Sequence, residues 1–331
     1  MLWGYPMQSH RLSRRAFLAA SAAAAAAMGG ADTRAAEAAG GFRFVEETGG
    51  RIRVLEGDRP ILTYNWGDQL PGGVPKDRTR SCYVHPVWAP DGTVLTDDFP
   101  KDHYHHRGIF WTWQRMKVAG KAVSLWDIRG IRQRFSAWNQ RAVSAERASL
   151  DVSNDWLLDD GRRVARERLR VTVHRASDAG RAVDFVLTLE AVDGPVELLG
   201  AEGKGYGGFS FRFAPRRDTV IVADGRKRGG DSNDGTFRWA DLSARFAGGQ
   251  GEAGAAIFVH PEGRAKPRGW TLRHYGFLGP SWPGLVPHTL EPGTPATLLH
   301  RVWLHRGDAA AGQVAEAYEA YAHAAVLKET S

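Results

Sequence analysis

Apolar and polar residues alternate along most of this chain, and that period of two leaves little room for any fold but packed β-sheets. Between Ala182 and Ala191 it puts Val183, Phe185, Leu187 and Leu189 on one face, and Phe209, Phe211 and Phe213 alternate with Ser210 and Arg212 in the same way. Successive side chains of an extended chain point to opposite faces, so each such segment reads as a strand with one buried side. Residues 42–47, 51–55, 61–66, 108–113, 168–174, 219–223, 255–260, 270–275 and 297–305 give the same expectation. Turn pairs such as Asp91-Gly92, Asp160-Gly161, Asp224-Gly225 and Asp234-Gly235 separate them at hairpin-like intervals. The polar run 224–235 is expected to be an exposed hairpin. One segment reads as helix: within residues 312–327, Val314, Ala317, Tyr318, Tyr321 and Ala325 share a stripe at helical spacing. Strands without intervening helices predict an all-β, large antiparallel β-sandwich, with the C-terminal helix capping or crossing a sheet.

The first 39 residues carry a different message. Ser13-Arg14-Arg15-Ala16-Phe17-Leu18, an alanine-rich apolar run to Met28 and small residues at 35–39 read as a twin-arginine export signal. Its apolar core is short for a bilayer and no later segment is longer, so no membrane span is expected in the mature chain. Residues 40–331 are then expected to form a single domain in the periplasm or outside the cell. The signal holds four basic and two acidic residues, so the formal charge of +7 falls to about +5 when it leaves. The remaining basic residues are interleaved with acids and form no stripe, which argues against nucleic acid as a partner. The lone cysteine, Cys82, cannot form an internal disulfide and reads as a small buried apolar residue.

Chemistry concentrates in Asp97 to Trp113, where His103, His105 and His106 stand with Asp102 and Arg107 beside large aromatics. Imidazoles titrate near neutrality and ligate metals, so a cluster can move protons or hold a cation, or it can simply bond backbone carbonyls. If residues 103–106 are extended, His103 and His105 share one face and His106 takes the other. His103 and His105 are then half of a site for one divalent transition metal, with His85 or His260 among the candidates to complete it. A cupin-type site is disfavoured because no Glu follows between His106 and Glu146. Glu202, in a glycine-rich stretch with Lys204 and Tyr206, is the expected general base or metal carboxylate. Trp111 and Trp113, on one face of their strand, and Asp102, Lys204, Tyr206 and His274 are the expected substrate-binding residues. No nucleophile elbow, phosphate loop, dinucleotide fingerprint or HExxH helix is present in the sequence.

Tyr83-Val84-His85-Pro86-Val87 with Pro90-Asp91-Gly92, the run Asp98 to Gly108, Phe258-Val259-His260-Pro261 and Trp270-Thr271-Leu272-Arg273-His274-Tyr275-Gly276 resemble the bacterial PmoA-like family, labelled methane oxygenase PmoA. The resemblance runs through nearly the whole mature chain, with Tyr104 where that family commonly has Pro. It implies a periplasmic or secreted β-sandwich similar in outline to galactose mutarotase-like supersandwiches, in bacteria that degrade plant or algal polysaccharide. Together the cluster and the resemblance lead to the expectation of a carbohydrate-active epimerase, lyase or hydrolase acting on a sugar or oligosaccharide. His103, His105, His106, Arg107 and Glu202 are its expected catalytic residues. The alternatives are a non-catalytic periplasmic glycan-binding protein and a metal-dependent oxygenase.

Overall fold

The computed structural model describes residue 1 and residues 40–329; the expected export signal lies outside the described residues. In chain order the strands are β1 (Phe42–Glu47), β2 (Arg51–Glu56), β3 (Arg59–Asn65), β4 (Tyr83–Val87), β5 (Ile109–Thr112), β6 (Arg115–Val118) and β7 (Lys121–Val123). The long strands β8 (Ile131–Val143), β9 (Arg147–Leu158), β10 (Arg163–His174) and β11 (Gly180–Ala191) follow, then β12 (Val196–Leu199), β13 (Gly208–Arg212), β14 (Arg216–Ala223) and β15 (Arg226–Lys227). The last are β16 (Trp239–Phe246), β17 (Glu252–Val259), β18 (Trp270–Arg273), β19 (Phe277–Pro280), β20 (His288–Leu290) and β21 (Ala296–Arg306), before helix α1 (Val314–Glu329).

An eight-stranded sheet, ordered β1-β2-β3-β4-β5-β13-β19-β18, faces a nine-stranded sheet, ordered β15-β14-β16-β17-β21-β11-β10-β9-β8, and a four-stranded sheet β20-β12-β6-β7 packs beside them. The expected antiparallel sandwich is what forms. Its core follows from the period of two: Leu169, Val171 and Val173 of β10 lie opposite Leu187, Phe185 and Val183 of β11, and all six are buried. Phe185 meets Phe209 of the facing sheet at 5.1 Å, and Trp113 meets Trp156 at 5.4 Å.

The same parity forces one carboxylate inside. Glu167 falls on the buried side of β10 and is 1% exposed. It accepts hydrogen bonds from Trp156 Nε1 (2.8 Å), Gln133 Nε2 (2.9 Å) and Asn154 Nδ2 (2.7 Å). Asn154 also reaches the Tyr64 hydroxyl of β3 at 3.0 Å, so the network ties one sheet to the other. Burial raises the Glu167 pKa despite these donors.

α1 lies on the outer face of β16 and β17. Val314, Tyr318 and Tyr321 pack with Trp239, Ala256 and Phe258, with Ala317 partly buried alongside. No helix among the described residues is long and apolar enough to cross a membrane. The 224–235 run begins as expected, with Asp224-Gly225 turning β14 into β15.

Where the histidine loop enters β5, two strands nearly touch. A Cβ on Gly108 would sit 2.1 Å from the Val84 carbonyl oxygen and 2.8 Å from the His85 Cβ, both on β4. Gly108→Ala is therefore expected to cost about 2–3 kcal/mol in urea unfolding. Gly72→Ala, with nothing within 4 Å, serves as the neutral control. Equal midpoints for the two variants would refute this close approach.

Candidate functional site

Alternation across the eight-stranded sheet builds an aromatic floor on the side away from the core. Ile109 and Trp111 of β5 and Phe209 and Phe211 of β13 enter the core, which turns Phe110 and Arg212 outward. Tyr83 of β4 and Phe277 of β19 join Phe110 there, and Trp126, from the loop after β7, closes over them at 5.5 Å from Phe110. Tyr206 packs on Trp126 at 4.9 Å, and Gln114 Nε2 donates to its hydroxyl at 3.2 Å.

The three imidazoles lie on this floor, but not in the arrangement expected of a strand. The His103 N–H donates to the Pro100 carbonyl (2.9 Å) and the His106 N–H to the His103 carbonyl (2.8 Å), so the segment is a pair of turns. His103 and His106, expected on opposite faces, are instead stacked at 4.7 Å with planes within 3°. His105 stands edge-on to both, at 5.5 and 4.6 Å. Tyr275 lies parallel to His103 at 5.2 Å. It precedes Gly276, which has φ +104° and where any Cβ would strike the Arg216 guanidinium at about 2 Å.

Arg107 explains the turns. Expected to be catalytic, it is fully buried, so it cannot meet a substrate in this conformation. Its guanidinium donates to the carbonyls of Tyr104, His106 (2.6 Å) and Arg78 (2.8 Å), and rests 3.4 Å above the Phe99 ring. The Asp98 carboxylate lies 3.7 Å away. Around this anchor Cys82, Phe99 and Ile128 hold left-handed φ values of +63°, +52° and +55°. Such backbone costs about 1–3 kcal/mol per residue and persists only where surrounding contacts enforce it, as at functional sites.

Charge is graded across the cluster. Arg212 Nη2 donates to both Asp102 oxygens at 3.1 Å, its Nη1 lies 3.5 Å from His106 Nδ1, and its guanidinium covers Tyr275 at 5.0 Å. Asp102 Oδ2 sits 2.9 Å from His103 Nδ1, a charge contact off the N–H line. Burial works against Asp102, but His103 and Arg212 hold its carboxyl below the usual range. His105 is pushed down to about 3 by burial and by the charges of His103, Arg80 and Arg107. His106 is depressed as well, through burial, His105 and Arg212. Behind them burial lifts Asp98 to about 7, although Arg107 and a 2.9 Å hydrogen bond from the Tyr83 hydroxyl both oppose the rise.

The other expected site residues scatter. Trp111 and Trp113, expected to bind substrate, are 1% and 0% exposed in the sandwich core, because their parity on the strand faces the opposite sheet. Glu202 and Lys204 lie exposed in the turn before Tyr206, and their side chains make no hydrogen bond or ion pair among the described residues, so neither is joined to the imidazoles. His274, next to Tyr275, is held by Asp231 Oδ1 at 3.0 Å. His85 bonds Thr96 Oγ1 through Nδ1 at 2.9 Å, and burial lowers its pKa to about 4. His260 packs edge-on against Tyr321 of α1 at 5.4 Å. No group of three or more His, Cys, Asp or Glu side chains among the described residues is gathered to hold a metal. The stacked rings of His103 and His106 cannot share one ion, since each would have to hold it in its own plane about 2 Å from nitrogen. Arg212, Trp126, Tyr275 and Asp98 complete the site without having been singled out as functional. Arg212 was legible in the strand pattern as the outward residue beside Phe211, and Asp98 lies within the same Asp97–Trp113 stretch as the imidazoles; Trp126 and Tyr275 depend on loops meeting across the fold.

The chain matches a family of unknown function, DUF6807, over residues 51–319 and belongs to it. That match does not bear on the methane-oxygenase label. No curated protein matches the chain. Among solved structures, a GalM/aldose epimerase homologue from C. elegans is 10% identical with a TM-score of 0.36, over 81% of this chain and 99% of that one. Galactose 1-epimerase from Lactobacillus acidophilus is also 10% identical, with a TM-score of 0.32 over 80% of this chain and 94% of that one. Likenesses this slight assign no activity, so any functional reading has to come from the chemistry of the site.

Two outcomes are expected from the site's construction. Lysine keeps a charge at 107 but loses the planar fork, so Arg107→Lys is expected to cost about 3 kcal/mol in urea unfolding. A cost below about 1 kcal/mol would mean that the loop is held otherwise. Buried imidazoles also set the acid response. His85, His105, His106 and His300 stay neutral when folded but ionise near 6.5 when unfolded. Unfolding therefore takes up protons below pH 6.5, and stability falls as the pH drops from there towards about 4. Asp98, raised to about 7, acts oppositely: its contribution is present at low pH and lost between about pH 4 and 7. Asp97 and Glu167, raised by burial, and His305, held up by Asp241, act with Asp98, so the imidazole share is isolated by substitution: the change in urea midpoint between pH 7.5 and pH 5 should shift towards greater relative stability at pH 5 in His106→Asn. The same change in the variant as in the parent would contradict the assignment.

Proposed function

We propose that this protein is an exported carbohydrate-active protein that carries out acid–base chemistry on a sugar, of the epimerase, lyase or hydrolase kind, at the His103–His105–His106 cluster. One observation carries the reading: three imidazoles converge over an aromatic floor, with one of them flanked by a carboxylate and the buried one by a guanidinium. Asp102 occupies the Nδ1 side of His103 at 2.9 Å, and Nε2 would be the nitrogen that exchanges a proton with a substrate. His105 and His106, held neutral, can donate or accept hydrogen bonds without adding charge. Arg212, beside His106 and Asp102, would be the cation that stabilises negative charge developing on a sugar oxygen. Tyr275, 41% exposed beside His103 and Arg212, is the aromatic ring of the site that a pyranose would meet.

A non-catalytic glycan-binding protein would use the same ring and the same hydrogen-bonding groups, and the test separates the two. Aldoses, uronic acids and short oligosaccharides are incubated with the protein in D2O and followed by proton NMR for anomeric interconversion, deuterium uptake or bond cleavage. Turnover that falls about 100-fold or more in His103→Ala, with ligand-induced shifts retained, supports an enzyme. Shifts without turnover identify a binding protein. Neither turnover nor shifts with any sugar would sink the reading.

A further inference from the structure

A second site stands apart from the imidazoles. The segments 262–268 and 288–299 enclose a cleft of about 610 Å³, lined by Arg264, Lys266, Arg268, Glu262, Trp282 and His288 among others. Three cations face one carboxylate there. Lys266 is tied to the backbone carbonyls of His260 and Pro261. Arg264 and Arg268, both exposed, make no side-chain hydrogen bond or ion pair among the described residues. At the histidine site, by contrast, Arg107 is engaged by backbone carbonyls and Arg212 by the Asp102 carboxylate.

The wall has its own character. His288 leans on the Trp282 indole at 4.7 Å, and its pKa is lowered by burial and by the charge of Arg268, which keeps it neutral beside the cations. Gly284 allows the close approach of Arg268, whose Cβ would lie 3.0 Å from any Cβ added there. Thr289, Thr294 and Thr297 add hydroxyls to the lining.

We propose that this cleft binds an acidic sugar unit, with its carboxylate held by Arg264 and Arg268. A planar carboxylate matches the guanidinium fork, and a fork without a partner leaves donors free for it. The volume far exceeds that of a small inorganic anion, and threonine hydroxyls with an imidazole wall suit a ring bearing several hydroxyls. The inference does not rest on the histidine cluster.

The test is titration calorimetry with trigalacturonate, its methyl ester and inorganic sulfate, on the parent protein, Arg264→Gln/Arg268→Gln and His105→Ala. Trigalacturonate should bind the parent, bind the double variant about tenfold or more weakly, and bind more weakly at higher salt. Its methyl ester should lose at least as much, while His105→Ala binds at this cleft as the parent does. Unchanged urea midpoints would show that the double variant, altered only at exposed residues, is folded. Four results would each overturn the proposal: no binding of trigalacturonate to the parent, equal binding to the double variant, equal binding of the methyl ester, or sulfate bound as tightly as trigalacturonate. Loss of this binding in His105→Ala alone would place the acidic sugar at the histidine site instead.

Discussion

A single buried guanidinium organises the candidate site. Removing Arg107 from water costs several kcal/mol, and that cost is offset only if its donors are satisfied and its charge is opposed. Three carbonyls and the Phe99 ring meet most of those demands, while Nε, 3.7 Å from the Asp98 carboxylate, is left without a hydrogen bond among the described residues. Because the carbonyls belong to Tyr104, His106 and Arg78, satisfying the cation winds the chain into turns and draws the loop before β4 towards it. The stacked imidazoles are a consequence of that winding. So is the raised pKa of Asp98, which shares the guanidinium's burial and is only partly compensated by it.

The sandwich supplies the rigid support that such a loop requires. Each strand of the eight-stranded sheet has one side committed to the core, and the aromatic rings left on the other side form a floor. Tyr83, Phe110 and Phe277 reach that floor from three different strands. The two sheets are held by apolar packing and also by the buried Glu167 network, which crosses from β8, β9 and β10 to Tyr64 of β3. A fully satisfied polar network inside a core is geometrically exacting, and so favours one register of the sheets over others. Strain is tolerated on this frame: Cys82, Phe99 and Ile128 keep left-handed backbone near the cluster, as Asp218 does within β14.

The alternating strands were legible because half-burial writes itself into sequence. β10, β11 and β13 show it cleanly, and so does the α1 stripe. β8 and β9 were not recognised, and for β8 the reason is physical. As an edge strand it pairs on one side only, and it carries register shifts between Phe135 and Ala137 and between Trp138 and Gln140. Each shift flips the inside–outside pattern, so its thirteen residues show no steady period. Among the site residues, His103, His105 and His106 were found by composition alone. Trp111 and Trp113 were placed on a shared face correctly, but whether that face met solvent or the other sheet was not written in the strand.

By itself the sequence determined the class of fold, because a two-residue period admits only sheets that bury one side. It also determined where titratable chemistry would concentrate, because three imidazoles within four residues cannot be dispersed by any fold. Tertiary structure alone decided which groups share that place. Arg212 comes from β13, Tyr275 from the turn between β18 and β19, and Trp126 from the loop after β7. Tertiary structure also decided that Arg107 faces inward and Glu202 outward. Whether a charged side chain lies in water or in the core depends on partners distant in the chain, and for Arg107 those partners include Arg78, 29 residues before it.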